Sequence, residues 1–270
     1  MSRIARIAST ALVTAGLVVL LDVGITLAWG EPVSTLRGWL GQREASRELE
    51  RLEREFRPAS DAPLDRREIG RSADRLAREA ERGEAIGRLT IAAIDLNIVV
   101  VEGTDTESLR KGPGHYPETA FPGHPGTVAV AGHRTTYLAP FRHIDELGRG
   151  DEVTLEMPYA TFTYRFENQR IVDPSQVGVV RDVDHDRLVL TACHPLYSAA
   201  QRIVVFARLV DVAPPTGVGG DSSAGPARRT AEEIEPPGPG PALAGIGGLA
   251  GIAALMWFFG GGRRAFPPPV

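Results

Sequence analysis

Thr161-Phe162-Thr163-Tyr164-Arg165-Phe166 alternates aromatic and polar side chains residue by residue. Alternation with period two places every second side chain on one face, so this run reads as a strand with one side in a core and the other in water. Outward from it, between Gly87 and Val212, lie further short β-branched runs: Leu89–Ile94, Ile98–Val101, Thr127–Ala131, Glu152–Met157, Leu188–Thr191 and Arg202–Leu209. Gly112-Pro113-Gly114, Pro122-Gly123, Pro125-Gly126 and Gly148–Asp151 separate them as turns. Seven or eight short strands at this spacing predict an all-β domain, a closed barrel or a sandwich. Only short helices fit within it, the best placed being Pro140 to Leu147.

The 270 residues exceed what such a domain needs, and the flanks differ in composition. Residues 1–30 form a short tip and an apolar run from Ile7 to Trp29, long enough to cross a membrane, with Arg3 and Arg6 ahead of it. A cleaved signal peptide and an uncleaved anchor both fit. No convincing small-x-small cleavage site precedes the charged stretch that follows, which favours the anchor. Asp22 is out of place in such a run, because a carboxylate is costly within a bilayer. Residues 31–86 are dense in Arg and Glu, with Leu49, Leu52 and Phe56 at helical spacing, and predict a solvated helical stalk broken at Pro58 and Pro63 and resumed near Ser72 to Glu84. Residues 87–212 are the β domain. Residues 213–241 are a Pro/Gly-rich linker, 242–260 a second candidate membrane segment, and 261–270 a tail containing Arg263 and Arg264. Arginines at the outer ends of both apolar segments put both termini in the cytoplasm and the β domain outside, by the positive-inside rule.

Net charge is −4 with no concentrated basic patch, which excludes a nucleic-acid partner on electrostatic grounds. No GxGxxG or phosphate-binding loop is present, so no nucleotide cofactor is expected. A single cysteine, Cys193, rules out an internal disulfide or a multi-cysteine metal site, and the histidine spacings suggest no metal site.

Cys193 ends the apolar run Leu188-Val189-Leu190-Thr191-Ala192, and His133 follows the run Thr127–Ala131. Arg202 opens the next strand after Cys193. A deprotonated thiol is a strong nucleophile, an imidazole carries protons near neutral pH, and a guanidinium offers fixed positive charge to a developing oxyanion. Acyl transfer needs these three functions, and strand ends can meet at one rim of a barrel. Six histidines and many arginines leave other triples open; Arg208, on the same strand as Arg202, is read as a surface or ion-pair residue. His194 belongs on the face opposite Cys193 if the strand continues, as a structural residue or a modest tuner of the thiol. His115, His124, His143 and His185 lie in turn-rich segments and are expected in solvent.

Gly132-His133-Arg134-Thr135-Thr136 after Ala129-Val130-Ala131, then Leu190-Thr191-Ala192-Cys193-His194-Pro195, then Arg202, resembles the sortase family. Gly87–Asp95, Val101-Glu102-Gly103-Thr104, Gly112–Pro117 and Leu147–Asp151 agree, so the likeness spans residues 87–211. The Cys-His-Pro run and the anchored stalk are most similar to class E, with class D next. The resemblance implies an eight-stranded barrel flanked by membrane helices, needing neither cofactor nor metal. It implies a membrane-bound cysteine transpeptidase whose catalytic domain lies outside the cell. That enzyme cleaves an LPxTG- or LAxTG-like sorting signal of secreted proteins between Thr and Gly and joins them to a peptidoglycan-precursor amine. Cys193 would be the nucleophile, His133 the acid and base, and Arg202 the group holding signal and oxyanion. Two rival outcomes are a sortase-like hydrolase and a non-catalytic binding or assembly module. The family's hydroxyls four and one residues before the cysteine are Val189 and Ala192 here, and the family's PGxxGN turn ends in Thr127. Ala192, Tyr116 and Tyr197 are the candidate substrate-lining residues.

Overall fold

The computed structural model describes residues 3–29, 32–56 and 65–215. The chain divides into two units, one containing residues 1–29 and the other residues 30–236. In the first, α1 (Arg3–Trp29) is one continuous helix, and its Arg3–Leu21 portion has a mean hydropathy of 2.0. Among the described residues it is the one helix long and apolar enough to cross a membrane. The second apolar segment, 242–260, lies outside the described residues.

In the second unit, the chain runs through α2 (Pro32–Glu55), α3 (Arg66–Glu79), β1 (Ala85–Ile91), β2 (Leu96–Glu102), α4 (Thr106–Lys111), β3 (Gly114–His115), β4 (Thr127–Ala131), β5 (Glu152–Met157), β6 (Ala160–Val172), β7 (Arg187–His194) and β8 (Gln201–Ala213). The strands close into a barrel in the order β1-β2-β3-β4-β7-β8-β6-β5, with β5 pairing back onto β1. The pairs β2–β3 and β4–β7 are parallel, and the others are antiparallel. Of the two architectures open to the strand pattern, the molecule is therefore the barrel. The alternation at Thr161–Phe166 is realised within β6, where Phe162 and Tyr164 enter the core. Burial there pushes the Tyr164 phenol well above its ordinary range.

Strands β4 and β5 begin and end at the residues their patterns mark. The predicted helix over Pro140–Leu147 is only a 3-10 turn, Ile144–Glu146, whose Ile144 is buried together with Phe141. His115 departs from the expectation of solvation. It is buried in β3, with Nδ1 2.9 Å from Glu102 Oε2 and Nε2 3.2 Å from the Ala120 carbonyl.

The segment expected to stand off as a solvated stalk over 31–86 does form helices, but they pack on the barrel. Ala45 and Leu49 of α2 are buried with Ala85, Val99 and Val101. The Gln42 carboxamide reaches β2 and α4: Nε2 donates to the Val99 and Lys111 carbonyls at 3.0 and 2.8 Å, and Oε1 accepts from the Val99 N–H at 2.8 Å. Helix α3 starts earlier than its pattern implies because Asp65 caps it, accepting from the Arg67 N–H at 3.0 Å. Its Ile69, Ala73 and Leu76 join the main core. The Arg and Glu residues that suggested a free stalk occupy the outer sides of these helices, while a narrow seam faces the barrel.

Candidate active site

The site is built on three neighbouring strands. The β4–β7 ladder is parallel and keeps each β7 residue sixty positions after its β4 partner, from Thr127↔Arg187 to Ala131↔Thr191. The Gly132 N–H donates to the Thr191 carbonyl at 3.0 Å, carrying the pairing one residue past β4. Two residues on from Ala131 and Thr191 stand His133 and Cys193. On the other side of β7, Cys193 is the Cα partner of Arg202 in the antiparallel β7–β8 ladder. Cys193 and Arg202 thus share one row of β7 and β8, and the β4–β7 register, continued past the end of β4, puts His133 on the same row.

The faces agree as well. Val128, Val130, Leu188, Leu190, Ala192, Ile203 and Val205 lie in the barrel core. Ala129, Val189, Val204 and Phe206 form a separate cluster on the outer face. By strand alternation, Cys193, His133 and Arg202 belong to that outer face. Cys193 and His133 are partly exposed. The row beneath them contains Thr191, whose Oγ1 lies 2.9 Å from the Tyr116 hydroxyl. Farther down the same face, Phe206, Val172 and Val179 line an open cleft of about 630 Å³, where Arg170 and Arg187 stack on the Phe206 ring.

Each polar group of the row has a distinct setting. The His133 ring packs against Tyr137, with centroids 5.3 Å apart, and burial lowers its pKa below the ordinary 6.5, favouring neutral imidazole at pH 7. The backbone after His133 turns through three consecutive left-handed residues, Tyr137, Leu138 and Ala139. It returns so that the Phe141 N–H donates to the His133 carbonyl at 2.9 Å. Phe141 fills the space beside Gly132, where a Cβ would come within 2.5 Å of the ring; only glycine admits that contact. Arg202 Nη1 donates to the carbonyls of Ala199 and Gln201, both at 2.9 Å, and so ties the guanidinium to the turn that follows β7.

The other expected positions divide. Tyr116 lies on the floor beside Thr191. Tyr197 is exposed on the turn after β7, where its hydroxyl accepts from Arg142 Nη2 at 3.4 Å. Ala192 does not line the site: its side chain is buried in the barrel core, because the strand alternates and Cys193 takes the outer face. Arg208, the alternative cation, is engaged by Glu167 at 2.7 Å.

One pair was not foreseen. Arg134 is buried and donates to His194 Nδ1 at 3.3 Å, to the Arg142 carbonyl at 3.0 Å and to Asp145 Oδ1 at 2.6 Å. Arginine has no acceptor, so His194 Nδ1 accepts and its proton sits on Nε2. The sixty-residue register that aligns His133 with Cys193 aligns Arg134 with His194, and a proposed parallel β4–β7 pairing would have exposed this from sequence. Among the described residues, no three His, Cys, Asp or Glu side chains converge as metal ligands would.

A thiol, an imidazole that burial keeps toward its neutral form and a guanidinium on one row are the kinds of group that acyl transfer calls for. Comparison with known proteins agrees in kind. The Sortase domain family model matches residues 89–210. Sortase D of Bacillus subtilis is 35% identical over 135 residues, covering 48% of this chain and 66% of that protein. Sortase SrtE1 of Streptomyces coelicolor is 29% identical over 150 residues, covering 50% of this chain and 43% of that protein. The chain thus spans 66% and 43% of the lengths of these two curated relatives. Among solved structures, a Clostridium perfringens Sortase D5 transpeptidase superposes with a TM-score of 0.52 at 25% identity, covering 62% of this chain and 98% of that one.

Proposed function

Because the chain belongs to the sortase family, known as cysteine transpeptidases, we propose that it is a membrane-anchored transpeptidase acting on secreted proteins that carry an LPxTG- or LAxTG-like sorting signal. The observation that carries this reading is the single outer-face row of His133, Cys193 and Arg202. Cys193 Sγ attacks the carbonyl carbon of the signal's Thr while its thiol proton passes to the neutral His133 imidazole. The Thr–Gly C–N bond breaks as His133 delivers a proton to the departing glycine amine, leaving a thioester on Cys193. An incoming amine, on a peptidoglycan precursor, attacks the thioester and loses its proton to His133. The C–S bond breaks, a new amide forms, and the proton held by His133 returns to the Cys193 sulfur. The exchange is of one amide for another, with no oxidation and no added group. Arg202 holds the signal and steadies the oxyanion in both tetrahedral states.

Helix α1 supplies the anchor in this reading, and the apolar segment 242–260 a second one, with the barrel on the outer side of the membrane where signal and wall amine meet. The test uses the purified full chain and a fluorogenic LPxTG or LAxTG peptide, with and without a glycine or diaminopimelate amine. Amine-dependent formation of the joined product, abolished by Cys193→Ala, is expected. Release of the acid with no joined product at saturating amine would make the protein a hydrolase. Unchanged turnover by Cys193→Ala would remove Cys193 from the chemistry.

A further inference from the structure

Helix α2 is amphipathic in the reverse sense over its first turns. Its small and polar residues Ser34, Gly38, Gly41 and Gln42 face the domain and are buried. A Cβ on Gly38 would lie 3.0 Å from Tyr137, and one on Gly41 2.9 Å from Lys111, so the helix needs glycine there to sit this close. Its large apolar residues point the other way: Val33, Leu36 and Leu40 are 64%, 54% and 53% exposed. At this i, i+3, i+7 spacing they form one stripe along the outer side of two turns. An isolated exposed leucine needs no explanation, but a helix that turns glycine inward and leucine outward does.

The charges beside the stripe restrict what covers it. Arg37 and Arg43 flank it on opposite sides, and the helix has no acidic residue before Glu44. Trp39 lies within the same turns, with Arg43 over its ring at 4.5 Å. Beyond Arg43 the outer side becomes mixed charge, with Glu44, Arg47 and Arg51, so the apolar stripe is confined to the N-terminal end of α2. Val33 follows the last residue of α1 by four positions. An apolar stripe, flanking arginines and an interfacial aromatic are the chemistry of a helix lying in a bilayer surface, with aliphatic groups among the acyl chains and guanidiniums at lipid phosphates.

We infer that the first turns of α2 rest on the membrane through Val33, Leu36 and Leu40, with Arg37 and Arg43 on anionic headgroups, holding the barrel against the lipid surface. The inference rests on α1 being a membrane anchor. A surface helix sets the height and tilt of the domain, whereas an anchor followed by a free spacer leaves both undefined.

Because Cys193 is the only cysteine, Cys193→Ser gives a cysteine-free background for spin labels. The full chain, reconstituted in nanodiscs of phosphatidylglycerol and phosphatidylethanolamine, is labelled singly at Leu36→Cys, Leu40→Cys, Leu12→Cys in α1 and Val210→Cys on the exposed side of β8. Power saturation then compares access to oxygen with access to a water-soluble nickel chelate. Positions 36 and 40 are expected to show an oxygen-to-nickel ratio several-fold above position 210 and nearer that of position 12. If 36 and 40 match 210 while 12 reads as lipid, the inference is overturned and the anchor stands. If 12 also reads as water, the anchor itself fails. Dipolar broadening between labels at 36 would show a second copy on this face and overturn the inference as well.

Discussion

Arg134 donates Nη1–H to His194 Nδ1 at 3.3 Å, joining the residue that follows His133 to the residue that follows Cys193. The contact lies on the opposite face of the two strands from His133 and Cys193, so it braces their relative position without touching substrate. Arg134 is only 2% exposed, and Arg134→Met leaves the Arg142 carbonyl and His194 without their donor. Asp145 is 44% exposed and rehydrates, so the stability loss comes from the neutral groups and is expected to be about 2 kcal/mol. Chemical denaturation would show it as a lower midpoint at unchanged slope. Turnover by the folded fraction is expected to fall in kcat with little change in KM, because the row loses alignment while the groove below it stays.

Gly132→Ala should be damaging out of proportion to one methyl group. The added Cβ meets the fully buried Phe141 ring, and overpacking of this kind costs about 1–3 kcal/mol. Phe141→Leu in the same chain relieves the clash, so the double variant is expected to be less destabilised than the sum of the two singles. Additive losses would mean that the ring is not what the new methyl meets.

The His133 imidazole is expected to titrate below 6.5, the direction that burial imposes. Tyr137→Ala opens the ring to water and should raise the midpoint back toward that value, followed by the His133 ring resonances in a proton–carbon NMR titration. The sign follows from desolvation disfavouring the cation. In the wild-type chain, the stability contributed by keeping this group neutral is present above 6.5 and is lost as pH falls through the lower folded-state pKa. The acid limb of the pH–rate profile is expected to move up with the variant if His133 is the group that carries the proton.

Gln42→Leu removes three hydrogen bonds, two of them buried, that tie α2 to β2 and α4. The Val99 N–H and C=O and the Lys111 C=O are left to be satisfied elsewhere, and a loss of about 2–3 kcal/mol is expected from urea unfolding. A change under about 0.5 kcal/mol, the size of an ordinary surface substitution, would show that the helix does not depend on this anchor.

Much of this architecture is legible in the residues. Phe162 and Tyr164 declare the inward face of β6, Glu152–Met157 is marked to the residue by its period of two, and Thr127–Ala131, buried on both faces, is marked by the glycines that bound it. Gly114–His115 escapes notice because a two-residue strand has no period. The docking of α2's first turns escapes it because the contact surface there is serine, glycine and glutamine, and a pattern reading looks for leucine on the inner face. Cys193, His133 and Arg202 are readable as types at strand ends, but Ala192 shows the limit: adjacency in sequence places it beside the thiol, and alternation sends it into the barrel. The same alternation sends His194 to the face opposite Cys193, whereas its partner Arg134 is found only through the β4–β7 pairing.

The constant offset between β4 and β7 also sets what may vary in this scaffold. The fifty-five residues between Ala131 and Arg187 include loops and the whole of the β5–β6 hairpin, and their length has no bearing on the match between His133 and Cys193. Within the ladder the tolerance is nil, because its repeat is two. A single residue gained or lost in Thr127–His133, without its counterpart in Arg187–Cys193, would turn the imidazole or the thiol into the barrel and present its neighbour in its place. A change of loop length between the two ladders therefore leaves that match untouched, while the two parallel segments are inherited, or grafted, only as a matched pair.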